Sequence, residues 1–296
     1  MVGEFKDALL EFPKRVPAEL RRQPLPEILE AVRNGPEYET VSIPTIKKSL
    51  TALSSVFKWA RSNGYREDNP AEGVAIATAR VGRSGRKPFS SDDLRAIFEK
   101  SPVFASGARQ RGGGGEAAFW LPLLGLFTGA RLEELGQALV SDVRTEAGIA
   151  YLDINSEDTK RLKNRSSERK VPLHQQLREV GFLRYVDSVR KSGEQSLFPD
   201  LIVNKNGNHT AQWSKWLGRY LRDSVGIRDE GKVFHSFRHT FKDACRAAGI
   251  SEEVHDALTG HTSKGVGRMY GAGVPLSIKA EEIQRVGLLP VSWTRR

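Results

Sequence analysis

Apolar residues recur at helical spacing over much of the chain. The clearest case begins at Ser42, where Pro44 suits a first helical turn, and it ends at Gly64. Between them the apolar positions alternate by four and three along one face, at Ile46, Leu50, Leu53, Phe57 and Ala60. This spacing predicts an amphipathic α-helix with Lys47 and Lys48 on its other face.

Other stretches predict helices in different environments. Residues 1–40 are weakly periodic and carry five prolines, so at most two short helices are expected there. Residues 117–127 are apolar almost all round, which predicts a core helix despite Pro122. Residues 175–191 and 209–225 have amphipathic patterns. The aromatic residues of the second stretch recur at helical spacing, which predicts burial in the core rather than a platform for stacking bases.

Residues 142–174 change to strand character. Ile149, Tyr151 and Ile154 form one run, residues 170–173 form another, and a polar, basic connection joins them. The pattern predicts a small antiparallel sheet among helices. The expected fold class is therefore mainly α with a small antiparallel β-sheet, an α+β fold.

A basic stretch at residues 79–88 separates two regions of the chain. Its sequence, ARVGRSGRKP, has four basic residues and no acid, which is typical of an interdomain linker able to lie along a phosphate backbone. Two serines and two aspartates at 90–93 then predict a helix start. We expect a helical domain at 1–79, a linker at 80–88 and a second domain at 89–296.

Composition narrows the class of partner. A formal net charge of +10 favours an extended anionic partner, of which nucleic acid is the usual one.

No apolar run approaches the ~20 residues that span a bilayer, and no signal pattern precedes a cleavage site. A single cysteine excludes an internal disulfide. The glycines at 112–115 lack a following Gly-Lys-Ser/Thr, which excludes a nucleotide cradle. A cytoplasmic, nucleoid-associated protein is expected.

Residues able to bind and attack a phosphodiester concentrate between His235 and Tyr270. His235 and Arg238 stand at i and i+3 of a predicted helix, so both can face one phosphate. His261 follows a short amphipathic stretch, and the hydroxyl of Tyr270, nine residues later, can act as a nucleophile. Arg131 adds a further cation at a glycine turn after the predicted core helix.

These motifs resemble those of the tyrosine recombinases, the phage integrase family. The matching segments are H-x-x-R-H-T, L-T-G-H with a tyrosine nine positions on, T-G-A-R-L-E-E-L, and T-K followed by a polar turn and R-K-V-P-L. The resemblance covers residues 42–274 and implies a helical core-binding domain followed by a catalytic domain. Lys163 is a rival of Lys160, because the turn length is open. The implied catalytic set is Arg131, Lys160, His235, Arg238, His261 and Tyr270.

The resemblance also implies a reaction. The two arginines match phosphate geometry as bidentate donors, and the two histidines can donate or accept protons beside them. Lys160 is expected to protonate the departing 5′ oxygen. Tyr270 is expected to form a 3′-phosphotyrosyl link that another strand can reseal without ATP. No metal or other cofactor is expected, since His235 and His239 lack the glutamate of H-E-x-x-H.

Double-stranded DNA is the expected partner. The resemblance implies a homo-oligomer, a tetramer on paired sites, joined through a C-terminal helix at Pro275 to Val286, with accessory DNA-bending or directionality proteins. The first domain is short and shows no separate arm-binding domain, so a truncated chain and a member without that domain both stay open. Contacts to DNA are expected from basic residues on the first predicted helix and in the linker, at Lys47, Lys48, Arg83, Arg86 and Lys87.

Two alternative functions use the same residues. A type IB topoisomerase-like enzyme would nick one strand and let it swivel, as a monomer. A DNA-binding regulator would keep the catalytic residues only as vestiges, and the complete residue set argues against it. A covalent protein–DNA adduct separates the regulator from both enzymes, and strand exchange between duplexes separates the recombinase from the topoisomerase.

Overall fold

The structure is a computed structural model, and it describes residues 2–76, 85–158, 160–162, 167–261 and 273–288. The chain divides into two units, Met1–Arg83 and Ser84–Arg296. The predicted domain boundaries stay predictions, because part of the predicted linker lies outside the described residues. The predicted fold class, mainly α with a small antiparallel sheet, is confirmed.

The amino-terminal unit is helical. It contains α1 (Val2–Glu11), α2 (Leu25–Arg33) and α3 (Ile43–Ser62), with a 3-10 turn at Ala18–Leu20. The apolar stripe predicted for α3 is confirmed, since Ile46 and Leu50 are buried in a small core with Val2. Much of the rest of α3 is exposed, and Lys47 and Lys48 lie there.

The second unit contains the sheet. Its helices in the described residues are α4 (Ser91–Arg95), α5 (Pro102–Ala105), α6 (Ala117–Thr128), α7 (Leu132–Gly136), α8 (Gln175–Val180), α9 (Phe182–Lys191), α10 (Ala211–Asp223), α11 (His235–Ala247), α12 (Glu252–Thr259) and α13 (Leu276–Ile283). A π-helical turn at Ala96–Lys100 and a 3-10 turn at Val140–Asp142 accompany them. The strands β1 (Val143–Glu146), β2 (Ile149–Ile154) and β3 (Arg169–Pro172) form an antiparallel sheet in that order.

Helix α6 is buried along its whole length, as its apolar sequence predicts. Helix α11 packs against it. The start of α11 approaches closely because Gly125 has no side chain: a Cβ there would lie 2.6 Å from Cζ of Phe234. Gly129 ends α6 in the left-handed region, at φ +61°, which glycine adopts without strain. The chain therefore leaves the core at a defined point, two residues before Arg131. Among the described residues, neither α6 nor any other helix is long and apolar enough to cross a membrane.

The glycine run at 112–115 is a packing element. Nε1 of Trp213 donates a hydrogen bond to the carbonyl of Gly113 at 2.9 Å, and a Cβ on Gly113 would lie 2.9 Å from the ring of Trp216. Both tryptophans are buried on α10, as is Tyr220. The prediction that these aromatic residues belong to the core is confirmed, and the glycines allow the loop to approach them.

The helix predicted at 175–191 is interrupted in the structure. Gly181 adopts φ +98° and separates α8 from α9. Leu177 before the break and Phe182 after it are both fully buried in the same core. The apolar pattern therefore continues through the break, which is why periodicity alone predicts one helix.

Helix α13 packs on its own unit. Ile283 and Val286 belong to the main core, and Nζ of Lys279 donates to the carbonyl of Lys170 in β3 at 2.8 Å. The expectation that the C-terminal helix docks on a neighbouring subunit stays a prediction. The apolar residues that suggested an intermolecular contact are buried within the chain itself.

The packing of α13 predicts an uneven response to truncation of its two isoleucines. Ile283→Ala removes a side chain that is 0% exposed and is expected to lower the free energy of unfolding by about 2–5 kcal/mol. Ile278→Ala, on the same helix but at a residue 45% exposed, is the matched control, with an expected change within about 0.5 kcal/mol. Urea unfolding of both variants measures this, and equal stabilities would show that α13 is not held against its own unit.

Candidate active site

The site begins where α6 leads into α7. Arg131 is the residue before α7 and has an extended backbone, while Glu134 lies in the first turn of that helix. Glu134 accepts hydrogen bonds from the backbone N of Arg131 at 2.9 Å and from its Nη1 at 2.7 Å. The side chain of Arg131 is 24% exposed and that of Glu134 is buried. The carboxylate therefore fixes a partly exposed guanidinium at a rigid turn.

Glu134 binds a second guanidinium as well. Nη2 of Arg169, from β3, donates to its Oε2 at 2.8 Å, and both side chains are buried. Burial alone would raise the pKa of Glu134, but the charge of Arg169 and the hydrogen bonds from both arginines hold it below the usual range. Glu134 is therefore ionised and supplies one negative charge to Arg131 and Arg169 together.

Arg238 ties two helix ends to α11. Its Nη1 donates to the carbonyl of Gly129 at 2.6 Å and to that of Thr259 at 2.5 Å, the residues at the ends of α6 and α12. Burial lowers the pKa of Arg238 to about 10, and the positive charges of Arg169 and Arg131 add to this effect. The guanidinium still carries its charge at neutral pH. Three arginines thus interact electrostatically in one region of the unit.

His235 begins α11 and is half-buried, one turn before Arg238. Burial lowers the pKa of His235 to about 4, and the charges of Arg86, His239, Arg238 and Arg131 lower it further. The ring of His239 stands edge-on to that of His235, with centroids 5.0 Å apart. In the DNA-free protein His235 is therefore neutral at pH 7, with one N–H donor and one acceptor nitrogen.

His261 follows directly on Gly260, which ends α12 in the left-handed region at φ +62°. The backbone N of His261 donates to the carbonyl of Asp256 at 3.1 Å, and its Nδ1 lies 3.8 Å from Oδ2 of the same residue. The imidazole is 57% exposed, so it is anchored at its backbone and accessible at its ring. Tyr270 lies outside the described residues.

Lys160 is not free at its predicted position. Its Nζ forms an ion pair with Oδ1 of Asp142 at 2.6 Å, and the two side chains are 5% and 2% exposed. Asp142 also accepts from Nδ2 of Asn155 at 3.0 Å and from the backbone N of Leu139 at 2.8 Å. The lysine must leave this buried carboxylate before it can donate a proton elsewhere. Its rival, Lys163, lies outside the described residues.

The predicted DNA-binding residues lie in different surroundings. Lys47 and Lys48 are exposed on α3. Arg86 is exposed, and its charge reaches His235, which places this end of the predicted linker near the candidate site. Lys87 forms an ion pair with Asp229 at 2.8 Å, and its backbone N donates to Gly231. Arg83 lies outside the described residues.

Arg169 is the first residue of the R-K-V-P-L segment, but it was not among the predicted site residues. It is 9% exposed overall and lies two residues before the fully buried Val171 on β3. Because alternate residues of a strand share a face, this spacing directs an arginine to the core side of the sheet. The predicted run begins at residue 170, so the signal available in the sequence was an arginine immediately before it, in phase with Val171.

The described residues hold no group of three or more histidine, cysteine, aspartate or glutamate side chains that could bind a metal ion. His235 and His239 pack against each other on α11, among positive charges. Arginines crowd this region, so its chemistry suits an anion such as a phosphate.

A family model and solved structures match the chain. A model described as “Phage integrase family” matches residues 118–272, just over half of the chain. No curated protein matches the chain. The chain is similar to the Tn1549 transposon integrase in complex with transposon right end DNA, with a TM-score of 0.50 and 17% identity over 87% of this chain and 82% of that one. It is also similar to the XerH site-specific recombinase bound to palindromic difH substrate, with a TM-score of 0.52 and 17% identity over 81% of this chain and 65% of that one.

The surroundings of His235 predict an unusual titration. In the DNA-free protein the imidazole of His235 is expected to titrate with a midpoint near pH 4. A bound phosphate is expected to raise this midpoint, because an anion favours the protonated imidazole. NMR of ¹³C-labelled histidine, assigned with His235→Asn, measures both values. Arg86→Ala, which removes a nearby positive charge, is expected to raise the midpoint of the free protein. A midpoint at 6.5 or above without DNA would contradict the assigned surroundings.

The same shift has a consequence for stability. The folded pKa of His235 lies below the unfolded value of 6.5, so the unfolded chain binds more protons between the two values. The contribution of His235 to folding is therefore fully present above about pH 6.5 and is lost as the pH falls towards 4. Thermal unfolding of wild type and His235→Asn across this range is expected to show a smaller acid sensitivity in the variant.

Proposed function

Because the chain belongs to the phage integrase family, we propose that it is a site-specific DNA recombinase that cleaves and rejoins strands through a 3′-phosphotyrosyl intermediate at Tyr270. The observation that carries the proposal is the frame in which Arg238 bonds the ends of α6 and α12, beside Arg131 and His235. Two charged guanidiniums and one neutral imidazole therefore lie close together. Cleavage of a phosphodiester needs such groups to stabilise the negative charge of the transition state and to transfer protons.

The two arginines bind the scissile phosphate. A guanidinium presents its N–H groups in a planar fork that matches two phosphate oxygens, and it keeps its charge at neutral pH. Glu134 and the two helix-end carbonyls hold Arg131 and Arg238 before DNA arrives. The site therefore reorganises little as negative charge builds up on the nonbridging oxygens in the transition state.

The histidines and Lys160 serve proton transfer. His235, neutral before DNA binds, can accept the phenolic proton as the oxygen of Tyr270 attacks phosphorus. His261, with an exposed ring, can donate to a nonbridging oxygen. As the bond from phosphorus to the 5′ oxygen breaks, Lys160 gives that oxygen its proton. One phosphoester bond forms as another breaks, so the reaction needs no ATP, and the proposal includes no metal ion.

The partner in this proposal is double-stranded DNA, and the compartment is the cytoplasm, at the nucleoid. The net charge of +10 and the exposed Lys47, Lys48 and Arg86 support binding to phosphates. Assembly into a tetramer on paired sites, with accessory DNA-bending or directionality proteins, belongs to the same proposal. Since α13 packs on its own unit in the single chain, exchange of this helix between subunits would require its release.

The packing of α13 is also the observation that favours the second candidate, a topoisomerase-like enzyme acting as a monomer. A chain that buries its own C-terminal helix has no need of a partner to complete its core. Both candidates share the covalent step, and they differ in whether two duplexes exchange strands.

The nucleophile can be tested with a suicide substrate, a nicked duplex whose cleaved fragment diffuses away. Wild type is expected to form a covalent protein–DNA adduct. Tyr270→Phe removes the attacking oxygen and keeps the ring, so it is expected to bind the duplex with similar affinity and form no adduct. Gel electrophoresis under denaturing conditions and peptide mapping of the linked residue measure this.

Each other outcome points to a different function. An adduct that persists in Tyr270→Phe would reassign the nucleophile. Supercoil relaxation without exchange between duplexes would favour the topoisomerase. A wild-type chain that binds the site and forms no adduct would favour the vestigial regulator.

The acid can be tested with a substrate whose 5′ bridging oxygen is replaced by sulfur, which leaves without a proton. Lys160→Ala is expected to slow cleavage of the oxygen substrate by about 10²- to 10⁴-fold, a typical contribution of general acid catalysis. The sulfur substrate is expected to restore the rate, while affinity for DNA changes little. Lys163→Ala is the matched variant on the same connection. Rescue of Lys163→Ala in place of Lys160→Ala would transfer the role to Lys163.

A further inference from the structure

A charged residue lies inside the unit, beneath the candidate site. The side chain of Arg169 is 4% exposed. All three nitrogen atoms of its guanidinium are bonded: Nε to the carbonyl of Leu258 at 2.7 Å, Nη1 to the carbonyl of Ser167 at 2.6 Å, and Nη2 to Oε2 of Glu134 at 2.8 Å. With its donors engaged inside the unit, this guanidinium is not available to a DNA phosphate.

Each partner of Arg169 belongs to a different segment that carries a site residue. Glu134 holds the guanidinium of Arg131 through its other oxygen, Oε1, and the backbone N of Arg131 through the shared Oε2. Leu258 lies in the last turn of α12, three residues before His261. Ser167 stands where the β2–β3 connection returns to the sheet, and its hydroxyl accepts from Nη1 of Arg131 at 3.2 Å. One side chain therefore joins three segments that are distant in the sequence.

The contact with the end of α12 is especially close. A Cβ on Gly260 would lie 2.8 Å from Nη1 of Arg169 and 3.2 Å from its Cδ. Glycine is needed there for its φ of +62° and also to admit the guanidinium. Arg238 bonds the carbonyl of Thr259, next to the carbonyl that Arg169 bonds. The two arginines therefore hold consecutive carbonyls at the C-terminal end of the helix, where its dipole favours positive charge.

The buried ion pair of Arg169 and Glu134 is not explained by a need for stability alone. Burial lowers the pKa of Arg169, although the carboxylate of Glu134 opposes this change. Removing two charges from water is costly, and well-packed apolar residues often replace buried ion pairs without loss of stability. The guanidinium fork does, however, fix the direction of three bonds at once, which an apolar side chain cannot do.

We propose that Arg169 is a positioning residue that fixes Arg131, Arg238 and His261 relative to one another. We call this relative arrangement of the three side chains the register. Arg169 holds Arg131 through Glu134, and it holds Arg238 and His261 through the end of α12. Which reaction this register serves rests on the proposed function, whereas the register itself is a property of the DNA-free protein.

The register can be observed by NMR without DNA. The Nε–Hε signals of Arg131 and Arg238 report the surroundings of each guanidinium. In Arg169→Met both signals are expected to shift towards those of a free arginine. The matched control is Lys279→Met, which removes another buried cation that bonds a β3 carbonyl, that of Lys170, instead of a group bonded by the three arginines. In this control both signals are expected to stay at their wild-type positions. Unchanged arginine signals in folded Arg169→Met would overturn the proposal.

The consequence for catalysis is measured by single-turnover cleavage at saturating DNA. Arg169→Met is expected to be slower by about 100-fold, the order of loss that a misplacement of 1 Å can cause, with little change in Kd. The sulfur-bridged substrate is expected to give no rescue, because Arg169 moves no proton. A rate equal to that of Lys279→Met, despite shifted arginine signals, would also overturn the proposal.

Two further results keep the test decisive. Arg169→Lys keeps a charge opposite Glu134, which protects folding, but it lacks the fork that reaches Leu258 and Ser167. It is expected to show an intermediate rate and intermediate arginine signals, and a wild-type rate would contradict the need for the fork. If wild type itself forms no adduct, the proposed function fails, while the NMR comparison still decides whether Arg169 sets the register.

Discussion

The buried carboxylate of Glu134 is the interaction on which the rest of the site depends. Its Oε1 accepts from the guanidinium of Arg131, and its Oε2 accepts from both the backbone N of Arg131 and the guanidinium of Arg169. Without this negative charge, two guanidiniums would be desolvated close to each other and to Arg238, and their repulsion would separate the segments that carry them. One buried anion therefore holds the arginine cluster together.

Local patterns were enough to predict the parts of the fold that depend on one segment. The stripe of α3, the core helix α6 and the strand character of residues 142–174 are all confirmed, because burial of an apolar face shapes each of them directly. Gly181 shows the limit of this reasoning, since a glycine that interrupts a helix leaves the apolar periodicity intact on both sides.

Contacts between distant segments explain what sequence reasoning missed at the site. The motifs identified Arg131, Arg238 and His235, and the structure places these residues in one electrostatic cluster. The motifs could not show that Lys160 pairs with Asp142, because that bond depends on how the sheet and the preceding turn fold together. They included Arg169 only as the first residue of R-K-V-P-L and gave it no role, because its contacts depend on partners 35 and 89 residues away in the sequence.

The ion pair between Lys87 and Asp229 changes how the linker region exchanges ions with its surroundings. An exposed cation such as Arg86, which forms no ion pair within the described part of the chain, would release counterions from DNA on meeting a phosphate. Lys87 must first leave Asp229, and the vacated carboxylate then gathers a cation from solution. The ion released from DNA is offset by the ion taken up at the protein. Lys87 therefore adds little to the net release of counterions that favours DNA binding. Two basic residues adjacent in the sequence would thus differ in how strongly ionic strength affects their binding to a phosphate backbone.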